Sequence, residues 1–404
     1  MLVISSSTAA LTPTAVALGN FDGLHLGHRQ VVQPILALSP RSNSGAISAA
    51  PLNSRSRVSD RENADRQQDA DGENQPAEPP AIALKYQNLD GCAALSTREQ
   101  SLSGWNWDAV TGLYPTVVTF DPHPQEFFTG QPKKLLTPLP EKVELLEAMG
   151  VEQLILLPFD RELADLTADE FVEKILVRQL QAKRISVGVD FRFGRGRAGT
   201  AADLQSIASN YGIDVTLIGL HTCDEGDRIS SSIVRSSLAS GDLKRANQLL
   251  GRPYSLVGSV VGGQRLGRTI GFPTANIELP PEKFLPRFGV YAVQVLVSML
   301  SKSAAAKIKD SSSSYEWKNP ESLISDVASD LPILNGVMNV GSRPTVDGQQ
   351  PTIEIHLLDW SGDLYGQTLS ASLVEFLRPE QKFASLDALK TQIQADCDLA
   401  RKLL

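Results

Sequence analysis

The sequence predicts an α/β chain: a doubly wound parallel sheet in the N-terminal part, then a C-terminal antiparallel β-barrel with a terminal helix. Three observations carry this expectation. Short apolar strands alternate with amphipathic helices from Thr14 to Leu220, the pattern of a parallel sheet with helices on both faces. From Tyr254 to Phe376 strand follows strand, as in an antiparallel sheet or small barrel. A chain of 404 residues is long enough for two domains, each with its own core, plus some spare length.

The first strand is the buried run Thr14 to Leu18 (TAVAL), and Gly27 to Leu38 has the apolar content of a helix packed on a sheet. Pro34 lies inside that helix and predicts a kink or an early end. From Ser39 to about Tyr114 the sequence turns to Ser, Asn, Arg, Asp, Gln and Pro, a composition that buries too little apolar surface to offset ordering entropy; a flexible insertion is expected. The chain recovers at the β-branched strand Pro115 to Phe120. A helix from Pro140 to Met149 stopped by Gly150 follows, then a strand from Gln153 to Leu157. Thr167 and Glu170 form a capping box for a helix to Leu180. Strand Ile185 to Val189, helix Ala201 to Tyr211 stopped by Gly212, and strand Val215 to Leu220 complete the sheet.

Gly241 to Gly251 reads as a further helix ended by glycine, and the sequence changes character at Arg252-Pro253-Tyr254. The domains are therefore expected at 1–250 and 251–404, with flexible insertions at about 39–114 and 299–332. Barrel strands are expected at Tyr254 to Val261, Gly289 to Val297, Leu334 to Val340, Thr352 to Leu358 and Leu369 to Phe376. A helix capped by Ser385 is expected to lay Leu386, Leu389, Ile393, Leu399 and Leu403 on the barrel.

Charge and cysteine usage narrow the function. Lys and Arg number 38 against 46 Asp and Glu, a net charge of -8, which argues against a general nucleic-acid surface and leaves room for a local basic pocket. Cys92, Cys223 and Cys397 are far apart and form no CxxC pair, so neither a zinc site nor a disulfide framework is expected. No Lys or Arg precedes Arg29, so a signal peptide's basic start is missing, and no stretch is long enough to span a bilayer. A soluble cytoplasmic protein without a membrane partner is expected.

In open parallel sheets ligands bind outside the carboxyl ends of the strands. Three polar segments fall there: Gly19 to His28 (GNFDGLHLGH), Asp121 to Pro124 (DPHP) and Gly188 to Gly194 (GVDFRFG). In the first, glycines allow close backbone approach, a helix N-terminus favours phosphate, and His25 and His28 at i, i+3 share one face. Asn20 and Asp22 are placed to orient a nucleotide or hold a metal, whereas the plainer reading is a glycine-rich loop with exposed histidines. His123 between fixed prolines either lines a ligand pocket or is held for packing or a turn hydrogen bond. Ile229 to Arg235 (ISSSIVR) offers hydroxyls and an arginine to phosphate.

Taken in this order, GNFDGLHLGH, TFDPHP, GVDFRFG and ISSSIVR resemble the adenylyltransferase half of the bifunctional prokaryotic riboflavin kinase/FAD synthetase family. The resemblance implies a Rossmann-like nucleotidyltransferase domain in which the FMN phosphate attacks the α-phosphorus of ATP, giving FAD and pyrophosphate. It makes His25, His28 and Arg235 catalytic, and Gly19, Asn20, Phe21, Asp22, Gly27, Ser231 and Ser232 nucleotide-binding. Asp121, His123, Asp190, Phe191 and Arg192 would lie on the flavin side. Ser232 stands where the family usually has threonine and keeps the hydroxyl.

Gly262 and Gly267-Arg268-Thr269 have P-loop spacing, but Pro273 comes too early for the helix that motif needs. Gly271 to Asn276 (GFPTAN) instead resembles the signature of riboflavin kinases, and the similarity continues through GVYAV, NVGSRPT, EIHLLD and LRPEQKF. It implies Gly267 and Arg268 at the nucleotide, Thr274 and Asn276 as neutral oxygens for an ATP-bound Mg²⁺, Glu354 as general base, and Arg378 and Glu380 near the flavin. His356, two residues after Glu354 on the same strand face, is expected to be structural. The resemblance implies riboflavin, FMN, FAD and ATP as small-molecule partners; the sequence does not set the oligomeric state. The rival readings are an HxGH nucleotidyltransferase for another substrate and a non-catalytic flavin-binding regulator on the same fold.

Overall fold

A computed structural model describes residues 1–36, 112–220, 228–263, 266–298, 333–345 and 348–404. His221, Cys92 and Cys223, and nearly all of both expected insertions, lie outside the described residues.

The N-terminal part is a six-stranded parallel sheet in the order β1-β4-β3-β2-β5-β8. Its strands are β1 (Leu2–Ile4), β2 (Thr14–Leu18), β3 (Tyr114–Asp121), β4 (Gln153–Pro158), β5 (Ala182–Gly188) and β8 (Asp214–Ile218). A hairpin of β6 (Arg192–Phe193) and β7 (Gly199–Thr200) stands apart. The alternation of side chains explains the unbroken apolar run of β2. Ala15 and Ala17 face one core, with Val31, Val32 and Ile35 of α1 (Leu26–Leu36) and Leu146 of α3 (Leu139–Ala148). Val16 and Leu18 face the other core, with Phe171, Leu176, Leu204 and Ala208. The helices of that face are α5 (Ala168–Phe171), which continues as a π-helix over Val172–Gln179, and α6 (Ala201–Ser209). The Thr167/Glu170 capping box is present, and helices cover both faces as expected.

The three-residue strand β1, too short to carry a pattern, was not legible in the sequence. Pro34 lies inside α1, where it offers no N–H to the preceding turn. From β2 the chain builds outward through β3 and β4, then returns to β5 on the other side of β2. The carboxyl end of β2 is thus the topological switch point, where crevices open in such sheets.

Helices α7 (Ser231–Ser240) and α8 (Leu243–Leu250) pack against the second part. That part is a closed antiparallel barrel, β10-β13-β12-β11-β14-β9. Its strands are β9 (Tyr254–Val261), β10 (Ala275–Glu278), β11 (Gly289–Ser298), β12 (Ile333–Thr345), β13 (Gly348–Leu357) and β14 (Thr368–Pro379). Tyr291, Val293, Met338, Ile353, Ile355 and Leu373 fill the interior. β10 was not expected as a strand: the second half of GFPTAN closes the barrel between β9 and β13.

The terminal helix α10 (Leu386–Leu403), capped by Ser385, lies on the outside of the barrel. Its buried face differs from the expected one. Leu386, Leu399 and Leu403 are exposed, whereas Ile393, Cys397, Ala400 and Leu404 pack on Val290, Ala292 and Val337. The ion pair of Asp396 with Arg378 on β14 sets this rotation, placing small and polar residues inward. No helix among the described residues is long and apolar enough to cross a membrane.

Candidate active sites

The first site forms where the chain leaves β2. Phe21, Gly23 and Leu24 adopt positive φ (48°, 94° and 43°), a conformation costly for the two non-glycines. Their side chains are buried in the sheet core, and that burial offsets the strain. The loop is pinned by Asp22. Its Oδ1 accepts from the backbone N–H groups of Leu136 (2.8 Å) and Thr137 (3.2 Å), while its other oxygen pairs with Arg235. Ser231 Oγ donates to the Asp22 carbonyl at 2.7 Å, and Gly23 N donates to Thr137 Oγ1 at 2.6 Å. Asp22 thus holds the loop. A buried carboxylate flanked by two backbone donors and a guanidinium is already satisfied.

His25 and His28 meet face to face, ring centroids 3.7 Å apart and planes 13° from parallel. The His28 backbone N–H donates to His25 Nδ1 at 3.3 Å, which leaves the His25 proton on Nε2. Burial lowers the His25 pKa from 6.5 to about 4, and the nearby Arg252 adds to the lowering against the pull of Asp22. Burial lowers His28 as well, with His25 and Lys142 adding to it. Both rings are therefore neutral donors at neutral pH. His28 Nδ1 is buried and has no hydrogen-bond partner among the described residues, as suits a position completed by a ligand.

Beside the loop lies a cleft lined by Asn20, Asp22, Thr119, Asp121, His123 and Lys142. Lys142, buried on α3, donates from Nζ to the Asn20 carbonyl at 3.0 Å; Thr119 Oγ1 donates to the same oxygen at 3.1 Å. Burial lowers the Lys142 pKa, opposed by Asp22 and Asp121. Sequence reasoning missed this lysine because a charge inside an amphipathic helix reads as a solvated position. His123 has two placements here. It lines the cleft, and its Nδ1 caps α2 (Pro124–Thr129) by accepting from Gln125 N at 3.0 Å. Its Nε2 is 3.0 Å from Lys133 Nζ, and burial followed by that cation lowers its pKa to about 4.

Asp190, Phe191 and Arg192 stand on the same rim beyond β5 but outside this cleft. Asp190 pairs with Arg228, and Phe191 stacks on Phe193 at 5.7 Å. Ser232 is exposed in the first turn of α7. A side chain on Gly27 would press on the His25 ring at 3.3 Å.

The second site lies on the outer face of the barrel. On β13, Ile353, Ile355 and Leu357 point inward, so Glu354 and His356 point outward. Glu354 is paired in register with Asn276 on β10 and with Asn339 on β12, which sets an Asn-Glu-Asn row across three strands. Asn339 was not singled out from sequence, because only the barrel register brings it beside Glu354. His356 Nδ1 is 2.8 Å from the Pro273 carbonyl oxygen and its ring meets Phe272 edge-on at 5.5 Å, so it anchors the GFPTAN loop.

Two glycines let the preceding backbone approach. A side chain on Gly263 would overlap the Asn276 amide; one on Gly267 would overlap the Phe272 carbonyl and come within 3.3 Å of Thr274 Oγ1. Arg268 lies in the short helix α9 (Leu266–Thr269). Glu380 fills the space above Gly341, beside Asn339. Arg378 joins two elements of the barrel half. Its Nε and Nη2 grip Asp396 at 2.8 to 3.0 Å, joining β14 to α10.

Among the described residues no cluster of three His, Cys, Asp or Glu is placed to hold a metal. Thr274, Asn276 and Glu354 instead offer hard oxygens behind a close glycine backbone, a donor set that fits a divalent cation carrying phosphate ligands of its own.

A parallel sheet with paired neutral histidines at its switch point, joined to a barrel with an outward Thr, Asn and Glu set, defines a protein with separate nucleotidyl- and phosphoryl-transfer sites. The FAD synthetase family pattern matches residues 7–48 and 107–233, and the riboflavin kinase pattern matches 250–404. The bifunctional riboflavin kinase/FMN adenylyltransferase of Escherichia coli K12 is 42% identical over 287 residues, 71% of this chain and 81% of that one. Its counterpart from Haemophilus influenzae is 38% identical over 287 residues, 70% and 82% of the two chains. The crystal structure of a macrolide-efflux protein from Streptococcus pneumoniae shares the fold, with TM-score 0.66 at 24% identity over 99% of this chain and 98% of that one. The chain belongs to the bifunctional riboflavin kinase/FMN adenylyltransferase family.

Proposed function

We propose that the chain phosphorylates riboflavin to FMN at the outer barrel face and adenylylates FMN to FAD at the sheet's switch point, using ATP in both steps. Residues 251–404 are assigned the first reaction and residues 1–250 the second. In the kinase step Glu354 takes the proton of the riboflavin 5′-hydroxyl as its oxygen attacks the γ-phosphorus, and ADP leaves. Thr274 and Asn276 would hold Mg²⁺ together with the ATP phosphates, and the ion would supply charge neutralisation there. Gly267 and Arg268 lie along the nucleotide, with Glu380 toward the flavin.

In the adenylyl step an FMN phosphate oxygen attacks the α-phosphorus and the bond to the β,γ-pyrophosphate breaks. His25 and His28 donate as neutral imidazoles to the phosphate oxygens, so they stabilise developing charge without first releasing a proton. The Ser232 hydroxyl and the backbone N–H groups of Ser231 and Ser232 at the start of α7 receive phosphate oxygens from the other side, and Arg235 adds positive charge beside the loop. Gly19, Asn20, Phe21 and Gly27 shape the nucleotide cradle. Asp121 and His123 face the flavin from the cleft, with Asp190, Phe191 and Arg192 on its rim. A cytoplasmic location suits a consumer of ATP with three well-separated cysteines.

The observation that carries the reading is Glu354 standing in register beside Asn276 behind the close glycine backbone. The test separates the two reactions by chromatography of flavins after incubation with MgATP. Glu354→Gln is expected to abolish FMN formation and leave FMN-to-FAD conversion; His28→Ala is expected to do the reverse. Wild-type protein that forms neither product, or loss of both activities in either variant, would overturn the reading.

A further inference from the structure

We infer that Lys283, in the stretch matched by the riboflavin kinase pattern, is a positioning residue for adenylyl transfer at the other site. This inference rests on the two-site reading above. Lys283 is 3% exposed, far from an ordinary place for a lysine, and no proposed chemical step uses it. Its Nζ donates to Glu141 Oε2 at 2.5 Å and to the Leu136 carbonyl at 2.9 Å, and it lies 4.6 Å from the centre of the Tyr254 ring.

Both partners belong to the segment that carries the adenylyl loop. The next backbone N–H groups along it, of Leu136 and Thr137, hold Asp22, and Thr137 Oγ1 holds Gly23. Glu141 is followed by Lys142, whose ammonium holds the Asn20 carbonyl. One buried cation from the barrel half therefore fixes the strap 135–142, and the strap fixes Asn20, Asp22 and Gly23 just ahead of the stacked histidines.

Four further hydrogen bonds run the same way. The strap is stitched to the barrel half by backbone bonds, Leu135 N to the Glu282 carbonyl (2.6 Å) and Phe284 N to the Leu135 carbonyl (2.8 Å). Arg252 donates to the carbonyls of Gly23 (2.9 Å) and Leu24 (3.3 Å). The adenylyl loop is thus braced by side chains from 252 and 283. A lost brace that shifts reacting groups by about 1 Å lowers rates by roughly a hundredfold.

The experiment uses the full-length chain and measures the two reactions separately. Lys283→Met is expected to lower kcat for FMN-to-FAD conversion at least tenfold, with KM for FMN and ATP within threefold of wild type and riboflavin phosphorylation within twofold. Lys283→Arg, which still offers donors to Glu141 and the Leu136 carbonyl, is expected to keep at least a third of the wild-type adenylyl rate. An adenylyl rate within twofold of wild type in Lys283→Met, an equal fall in both reactions, or Lys283→Arg as impaired as Lys283→Met would overturn the inference. If Lys283→Met does not fold, Glu141→Gln decides: a threefold or larger loss of adenylyl transfer alone supports the inference, and no loss overturns it. Failure of the wild-type chain to form FAD would instead overturn the functional reading.

Discussion

Replacing Asp22 by Asn tests how the adenylyl loop is held. The change is nearly isosteric, yet an amide offers one acceptor where the carboxylate offers two. If the amide oxygen stays on the Leu136 and Thr137 N–H groups, its NH₂ faces the Arg235 guanidinium, donor against donor; if the amide flips, the NH₂ faces the two backbone donors. Either way a buried partner is lost. Breaking a buried ion pair costs about 3–5 kcal/mol. The lower end applies here, because the Asp22 side chain is 4% exposed but that of Arg235 is 19% exposed and can turn toward water. About 3 kcal/mol in a domain of this size lowers Tm by roughly 6–12 °C, measurable by calorimetry. The freed loop should also slow FAD formation by roughly a hundredfold at 25 °C while leaving FMN formation unchanged. A Tm shift below about 2 °C, on the scale set by these stabilities, together with an unchanged adenylyl rate would refute this account of the loop.

Further predictions address the histidines, the kinase cradle and the terminal helix. The folded pKa of His25 is depressed to about 4 from 6.5, so below pH 6.5 the unfolded chain binds more protons than the folded one. Stability is therefore lost as pH falls from 6.5 toward 4, by roughly 3 kcal/mol for this residue in full. His25→Gln should flatten the fall of Tm over that range, and an unchanged slope would count against a buried neutral imidazole. Gly267→Ala must displace the Phe272 carbonyl and crowd Thr274; FMN formation should drop at least about tenfold, a cost of roughly 1.4 kcal/mol, with FMN-to-FAD conversion intact. Arg378→Met leaves Asp396 with Gln392 as its remaining side-chain partner at 2.9 Å. We expect a loss of about 3 kcal/mol and faster hydrogen exchange in α10; an unchanged Tm would refute the brace, and a raised KM for riboflavin would support a flavin contact for Arg378.

The fold was readable where periodicity was strong. The apolar run of β2, the Thr167/Glu170 cap and the alternating barrel strands each fixed their element locally. What escaped was set by partners distant in sequence. β1 has three residues and exists because β4 supplies its hydrogen bonds; β10 is a strand because β9 and β13 flank it. The face that α10 buries follows from Asp396 meeting Arg378, which no count of leucines on the helix foretells.

The same division holds at the sites. His25, His28, Asn276 and Glu354 stand out by residue type and local spacing. Lys142, Lys283 and Asn339 become meaningful only through contacts or register across more than a hundred, or a dozen or more, residues of chain. Asp22 was noticed for its chemistry, and the structure employs it as a fastener.

The alternation along β13 carries a consequence for variation in this chain. Ile353, Ile355 and Leu357 are 4%, 1% and 5% exposed, while Glu354 and His356 face outward. Odd and even positions therefore answer to different pressures. A library covering 353–357 would show a two-beat rhythm: odd sites would accept only apolar residues and would report through protein abundance, while Glu354 would report through turnover alone. Position 356, tied to the Pro273 carbonyl, would sit between the two readouts. A stretch of five residues thus separates what the barrel needs in order to exist from what it needs in order to act.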